Sequence, residues 1–197
     1  MPEQAHTPGR FFAVAFIVIL AVIACDQYTK WMALEALQQV KTGAPGFADW
    51  FTTRNVLDFL ADNQPKYDTV TINPWLDFTM VWNRGISFGL FDQGSTLLPV
   101  VFMAFSMLVS MALFIWMAVA HRKLLFVALP LVIGGALGNV CDRIRFGAVV
   151  DFIDVHLGDK HWPAFNVADS CVCIGFTLLL LDTFLNRDKD AAKLKAA

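Results

Sequence analysis

The chain has 197 residues, 57% of them hydrophobic and only 16% charged, with a net charge of −2. A water-soluble domain carries about 25% charged residues, so the apolar excess belongs in lipid and the broad class is integral membrane protein. Near-zero net charge without a long basic run gives no support to a nucleic-acid partner.

A helix needs about 20 apolar residues to cross the hydrocarbon. "FFAVAFIVILAVIAC", Phe11 to Cys25, opens the first predicted span, which can run on through the amphipathic "DQYTKWMALEALQQV" and is placed at 11–30. An outer segment, 31–96, follows. Its turn signals "GAPG" and "NQPK" and its β-prone runs "TVTI" and "DFTMVW" predict a small sheet or an amphipathic element lying on the bilayer. "LLPVVFMAFSMLVSMALFIWMAVA" is the clearest span, at 97–120. "LLFVALPLVIGGALGNV", the span at 124–141, contains Pro130, and Gly134 and Gly138 are spaced for close approach of another helix. A second outer segment, 142–167, precedes the last span at 168–186, "SCVCIGFTLLLLDTFL". The reading is one membrane-embedded domain, 1–197: mainly α, with four transmembrane helices, a small extracytoplasmic β-containing subdomain and an amphipathic surface element.

Positive charge orients this bundle. Arg10, the "HRK" of His121 to Lys123, and Arg187, Lys189, Lys193 and Lys195 all fall on one side. The positive-inside rule makes that side cytoplasmic, with both termini on it. Trp31, Trp50, Trp75, Trp82 and Trp162 then lie in the outer segments, where amphipathic rings suit a membrane surface. Cys25, Cys141, Cys171 and Cys173 show neither zinc-finger nor disulfide-scaffold spacing and read as small apolar residues. Val22-Ile23-Ala24-Cys25 has the form of a lipobox, where a bacterial lipoprotein precursor is lipidated and cut. A signal peptide would be followed by an exported soluble body, whereas here three further spans follow.

Ionisable residues at the ends of spans are expensive unless paired or wetted, so each is a candidate for function. Asp26 and Lys30 stand at i and i+4, acid first, the favourable order for a helical ion pair. A structural clamp explains them equally well. Asn139, Asp142 and Arg143 share one side of a helix end, with Asp142 read as a brace for Arg143. In "AVVDFI", strand alternation sets Val150 and Phe152 on one side and Asp151 on the other. "PAFNVADSCV" places Asn166, Asp169 and Ser170 at a helix start, where Asp169 or Ser170 could be a plain N-cap. If Asp151 and Asp169 meet, repulsion keeps one protonated near neutral pH. That shared proton suits amide hydrolysis: the ionised acid takes a proton from water and the neutral one polarises the scissile carbonyl. Arg143 and Lys30 could hold the ionised form or an oxyanion, with Asn139 and Asn166 fixing orientation.

Five blocks in order, "DQYTK", "NRGISFGLF", "GNVCDR", "VVDFIDVH" and "FNVADS", resemble the lipoprotein signal peptidases, the bacterial intramembrane aspartyl proteases. The resemblance implies Asp151 and Asp169 as the catalytic dyad and Asn83, Asn139, Arg143, Asn166, Asp26 and Lys30 as supporting polar positions. It implies no metal or organic cofactor. It also implies a monomer in the bacterial inner membrane, with its active site at the extracytoplasmic face among membrane lipids. The implied substrate is a prolipoprotein already diacylglycerylated on its lipobox cysteine and cut just before it. The interval from Lys30 to Asn83 is longer than is usual for the family, and Ser87 stands where alanine is commoner.

Two rivals are weighed against this reading. "DFIDVHLGDKHW" supplies Asp151, Asp154, His156, Asp159 and His161 as possible metal ligands, but the HExxH pairing of a metalloprotease helix is absent. A small transporter or proton-coupled membrane protein could use Asp26, Lys30, Asp151 and Asp169 as a relay. Such a relay should reach the midplane, whereas these charges gather at one rim. Asp154 reads as a support or surface residue.

Overall fold

Long apolar runs propagate as helices because, in lipid, each backbone N–H and C=O must be satisfied within its own segment. The computed structural model describes residues 8–37, 46–52, 67–85 and 97–196, with side chains over 12–37, 46–52, 67–85 and 100–187. In chain order the elements are α1 (Pro8–Leu37), α2 (Phe47–Thr52), β1 (Val70–Asn73), β2 (Leu76–Asn83), α3 (Leu97–Val119), α4 (Leu125–Phe146), β3 (Val149–Leu157), β4 (Lys160–His161) and α5 (Val167–Ala196). Among the described residues, four helical stretches are long and apolar enough to cross a membrane: Phe12–Leu37, Val100–Val119, Leu125–Phe146 and Val167–Arg187. The mainly helical membrane fold with a small antiparallel sheet is the expected one. "GAPG" up to Pro45, "NQPK" and Ser87 lie outside the described residues.

α1 takes up the amphipathic extension that the sequence allows, and α4 overruns its predicted end. α1 continues past Lys30 to Leu37, so Asp26, Lys30 and Trp31 sit within the helix, not at its mouth. Its last turns are held by tertiary burial: Ala33, Leu34 and Leu37 are covered, packing with Phe152, Val150 and Ala148 from the β3 region. α4 continues past Cys141 to Phe146 and takes Asp142, Arg143 and Arg145 into its final turns. It stops at Gly147, whose φ of 71° is the left-handed conformation that glycine adopts without strain. That turn throws the chain straight into β3.

α4 is the central helix: 61% of its apolar window is buried, against 28% or less in each of the other three. Its glycines let neighbours approach. Gly134 meets Val22 of α1, Gly138 meets Asp26 of α1, and Gly135 lies against Ala168 and Val172 of α5. The lipobox-like Cys25 lies inside α1, its carbonyl also accepting from Thr29 Oγ1 at 2.9 Å. Cleavage there would require unwinding a packed helix.

The sheet is antiparallel, in the order β1-β2-β3-β4. "TVTI" and "DFTMVW" supply β1 and β2 as their β-branched and aromatic content predicts. β2 pairs with β3 so that Val81 faces Asp151 and Asn83 faces Val149. Asn83 is therefore diagonal to Asp151 on one face, within reach of it. Val150 and Phe152 point to the opposite face, against α1. Period-2 alternation thus gives Asp151 its direction.

Replacing Gly135 by alanine would put a Cβ into the carbonyl of Ala168 and 2.9 Å from Val172 Cγ2. We expect Gly135→Ala to lower stability by about 1–3 kcal/mol through overpacking, read as a drop in the thermal midpoint of the purified protein in detergent. An unchanged midpoint would show that α5 can retreat from α4 freely.

Candidate active site

The first turn of α5 builds half of the site. Asn166 precedes Val167 as N-cap: its Oδ1 accepts from Asp169 N at 2.9 Å, and Asp169 Oδ2 accepts from Asn166 N at 3.3 Å. This reciprocal pair is a capping box. The cap is therefore Asn166; Asp169 is the third residue of the helix, and Ser170 Oγ only donates back to the Asn166 carbonyl at 3.0 Å. The alternative of Asp169 or Ser170 as a plain N-cap does not hold: an amide can both accept at a helix start and donate elsewhere, and this site uses both functions of Asn166.

Asn166 Nδ2 donates to Asp151 Oδ1 at 2.7 Å and to Asn139 Oδ1 at 3.1 Å. Asn139, from α4, donates its own Nδ2 to Asp169 Oδ1 at 2.7 Å. Asn83, from β2, donates to Asp151 Oδ2 at 3.0 Å. Asp151 and Asp169 are thus brought into one hydrogen-bonded cluster by two asparagines from different helices. Asp151 is almost wholly buried, and its carboxyl is pushed up to about 7. Burial is the larger cause and the negative charge of Asp169 the second; the donors on Asn83 and Asn166 and the charge of Lys30 pull the other way.

Lys30 makes no hydrogen bond or ion pair to Asp151 or Asp169. Its Nζ is fully enclosed, 2.8 Å from Asp26 Oδ2, 2.7 Å from Asp142 Oδ2 and 3.1 Å from Asn139 Oδ1. Two carboxylates and an amide oxygen saturate its three donors, so its reach to the site is indirect, through Asn139. Asp26 uses its second oxygen to accept from Ala168 N at 2.9 Å, an acid from α1 on the positive end of α5. Asp142 likewise accepts from Val150 N at 3.0 Å. The expected Asp142–Arg143 brace is corrected: the two side chains leave α4 in different directions, and Asp142 is taken by Lys30, Gln27 and the β3 backbone. Arg143 instead holds its guanidinium 5.6 Å from the Phe102 ring centroid, with one long bond, 3.4 Å, to the Asn139 carbonyl. Its Nε is buried without a hydrogen-bond partner.

Sequence reasoning missed Gln27 and Arg145. Gln27 Nε2 donates to Asp142 Oδ1 at 2.7 Å, and Arg145 Nη1 donates to Gln27 Oε1 at 2.9 Å. The available signal was positional. Gln27 neighbours an acid inside a span, and Arg145 follows Asp142 by three residues on one helical face. Asp154 pairs with His161 at 2.9 Å and Asp77 lies 3.4 Å from His156, on the outer part of the sheet. Among the described residues no group of three or more His, Cys, Asp or Glu side chains converges as metal ligands would.

Comparison with known proteins agrees with this architecture. The chain matches the family described as Signal peptidase (SPase) II over residues 18–185. A lipoprotein signal peptidase from Methylorubrum extorquens (strain PA1) is 45% identical over 173 residues, 87% of this chain and 86% of that protein. One from Polynucleobacter necessarius subsp. necessarius is 38% identical over 173 residues, with 87% and 86% covered. One from Coxiella burnetii (strain RSA 493) is 38% identical over 147 residues, 69% of this chain and 88% of that one. A bacterial membrane enzyme solved by the in meso method at 2.3 Å shares the fold, with a TM-score of 0.64, 24% identity and coverage of 90% and 91%. Matched across most of its length, and with four membrane-length helices among the described residues, the chain belongs to the signal peptidase II family of membrane proteases.

Proposed function

We propose that the chain removes signal peptides from diacylglyceryl-modified bacterial prolipoproteins, cutting just before the lipidated cysteine, by an aspartyl dyad of Asp151 and Asp169. The observation that carries this reading is the Asp151–Asn166–Asp169 cluster, in which one carboxyl is pushed up to about 7 beside another acid. Two carboxyls so placed share one proton near neutral pH and titrate as a unit. The ionised member accepts a proton from water as it attacks, and the protonated member hydrogen-bonds the scissile carbonyl oxygen. Collapse of the tetrahedral intermediate then passes a proton to the departing amine. Asn83, Asn139 and Asn166 hold the two carboxyls in place, and Asp26 and Lys30 support them from beneath. Arg143, with donors still unused, stabilises the oxyanion or engages the precursor.

The direction of insertion follows from the basic residues. His121 to Lys123 join α3 to α4, and Arg122 Nη1 pairs with Asp182 of α5 at 2.8 Å, at the end of the bundle away from the sheet. Assigning this end to the cytoplasm by the positive-inside rule puts both termini there and the dyad at the extracytoplasmic rim of a bacterial inner membrane. In this reading the protein works as a monomer among membrane lipids and uses no cofactor.

The test is cleavage of a purified diacylglyceryl prolipoprotein by the purified protein. Asp151→Asn and Asp169→Asn should each reduce turnover by about 10²–10⁴-fold while leaving insertion and thermal midpoint near wild type; full activity in either removes that residue from the dyad. Asp142→Asn should behave differently, lowering the thermal midpoint clearly and turnover less than the dyad changes, because its partners are Lys30, Gln27 and a strand amide. Turnover should also fall as pH rises through about 7, where the dyad loses its remaining proton. The Asn83 amide favours the ionised Asp151, so Asn83→Ala should move that descending limb to higher pH. A limb displaced downward, measured as kcat/KM against pH, would contradict the assigned role of the amide.

A further inference from the structure

Arg145 ends α4 almost wholly buried, at 6% exposure, although its guanidinium touches neither dyad acid. Three rings surround it. Its Cζ lies 3.9 Å from the Trp50 ring centroid, 4.6 Å from that of Phe146 and 4.9 Å from that of Phe51. Nη2 donates to the Trp50 carbonyl, so α2 is seated on this cation by its backbone and by two of its rings. Nη1 points the opposite way, to Gln27 Oε1 at 2.9 Å. A rigid planar fork with donors in fixed directions can make both contacts at once; a lysine ammonium at the end of a flexible stem is poorly suited to it.

The Gln27 contact matters because a side-chain amide is nearly symmetric in shape and is oriented only by its partners. With Oε1 held by Arg145, Nε2 must face the acids, 2.7 Å from Asp142 Oδ1 and 3.2 Å from Asp26 Oδ2. Asp142 then presents Oδ2 to Lys30 at 2.7 Å, and Lys30 donates to Asn139 Oδ1 at 3.1 Å. Asn139 is a second amide with its oxygen committed, so its Nδ2 is aimed at Asp169 Oδ1, 2.7 Å away. Hydrogen bonds link the Trp50 carbonyl to Asp169 contact by contact, with Arg145 and Lys30 donating on both sides and Asp142 accepting on both. Without the Arg145 donor, the buried Gln27 oxygen has no partner, and the amide must turn or admit water.

We propose that Arg145 is a positioning residue of the proposed reaction: through Gln27, Asp142, Lys30 and Asn139 it fixes the orientation of the Asp169 carboxylate, and it does so with α2 seated on its guanidinium. This rests on the dyad reading given above. The chain of contacts predicts an effect on the chemical step, whereas an anchor for α2 alone would alter substrate binding or stability.

The experiment is a double-mutant cycle on the full chain, with kcat and KM measured on a diacylglyceryl prolipoprotein. Arg145→Met and Gln27→Leu should each lower kcat by about tenfold with KM changed less than about twofold, and the double variant should lose little more than either alone, because both break one relay. Trp50→Leu, on the outer helix, should lower kcat in the same direction by a smaller factor. Multiplicative losses in the double variant, or a changed KM with unchanged kcat, would overturn the proposal. If Arg145→Met fails to insert, Arg145→Lys replaces it in the cycle with the same expectations, since it keeps the buried cation and loses the fork. Asp151→Asn is measured alongside: retained cleavage there overturns the dyad itself, while an inactive Asp151→Asn with multiplicative Arg145 and Gln27 losses overturns only the relay.

Discussion

A single ammonium group, taken wholly out of water between α1 and α4, holds this architecture to one arrangement. Lys30 could not stay charged there alone; Asp26 and Asp142 on either side make its burial possible. Each acid then uses its remaining capacity on a different backbone, Asp26 on the first turn of α5 and Asp142 on the start of β3. One buried cation therefore sets the relative positions of the helix bearing Asn166 and Asp169 and the strand bearing Asp151. In a low-dielectric surrounding such bonds are strong when complete, and any one left open is expensive. That is the physical basis for a unique geometry in a bundle whose other contacts are largely non-directional.

Around that anchor, groups with a structural duty carry a second one. Asn166 caps α5 and also bridges the two carboxyls, so the same bond that starts the helix orients the acids. Gly135 and Gly138 remove side chains where α5 and Asp26 must come close to α4. Gly147 lets α4 end and β3 begin within a few residues, setting Asp142 beneath the strand it supports. β3 turns its apolar side chains to α1 and Asp151 to the cluster. The burial that this secures is what raises the Asp151 carboxyl toward neutrality, the condition acid–base chemistry requires at physiological pH.

Much of this was legible in the sequence. Four apolar runs specify helices of membrane length, since a bilayer offers the backbone no other partner. The β-prone runs, the small-residue spacing of Gly134 and Gly138 and the alternation around Asp151 also needed only local patterns. Asp26 and Lys30 were readable as an i, i+4 pair because helix geometry alone makes them neighbours. Less legible were the ends of elements: α4 runs past Cys141 to Phe146, where Asp142 and Arg145 meet partners on α1 and α2 that are invisible from within the segment.

What the sequence by itself determined is the set of helices, the small sheet and the residues able to do acid–base chemistry, because these follow from periods of 2 and 3.6 residues and from side-chain type. What only the tertiary structure decided is who pairs with whom. Asp142 could have braced Arg143, its neighbour in the chain, yet it holds Lys30 and Gln27 from α1; Asp169 could have been the N-cap, yet Asn166 is, and the acid divides its oxygens between the Asn166 amide and Asn139. Gln27 and Arg145 carried only a positional mark, beside Asp26 and three residues after Asp142, which does not name their partners. Hydrogen bonds and ion pairs are directional and short-ranged, so their partners are settled only when packing has brought distant residues within about 3 Å of one another.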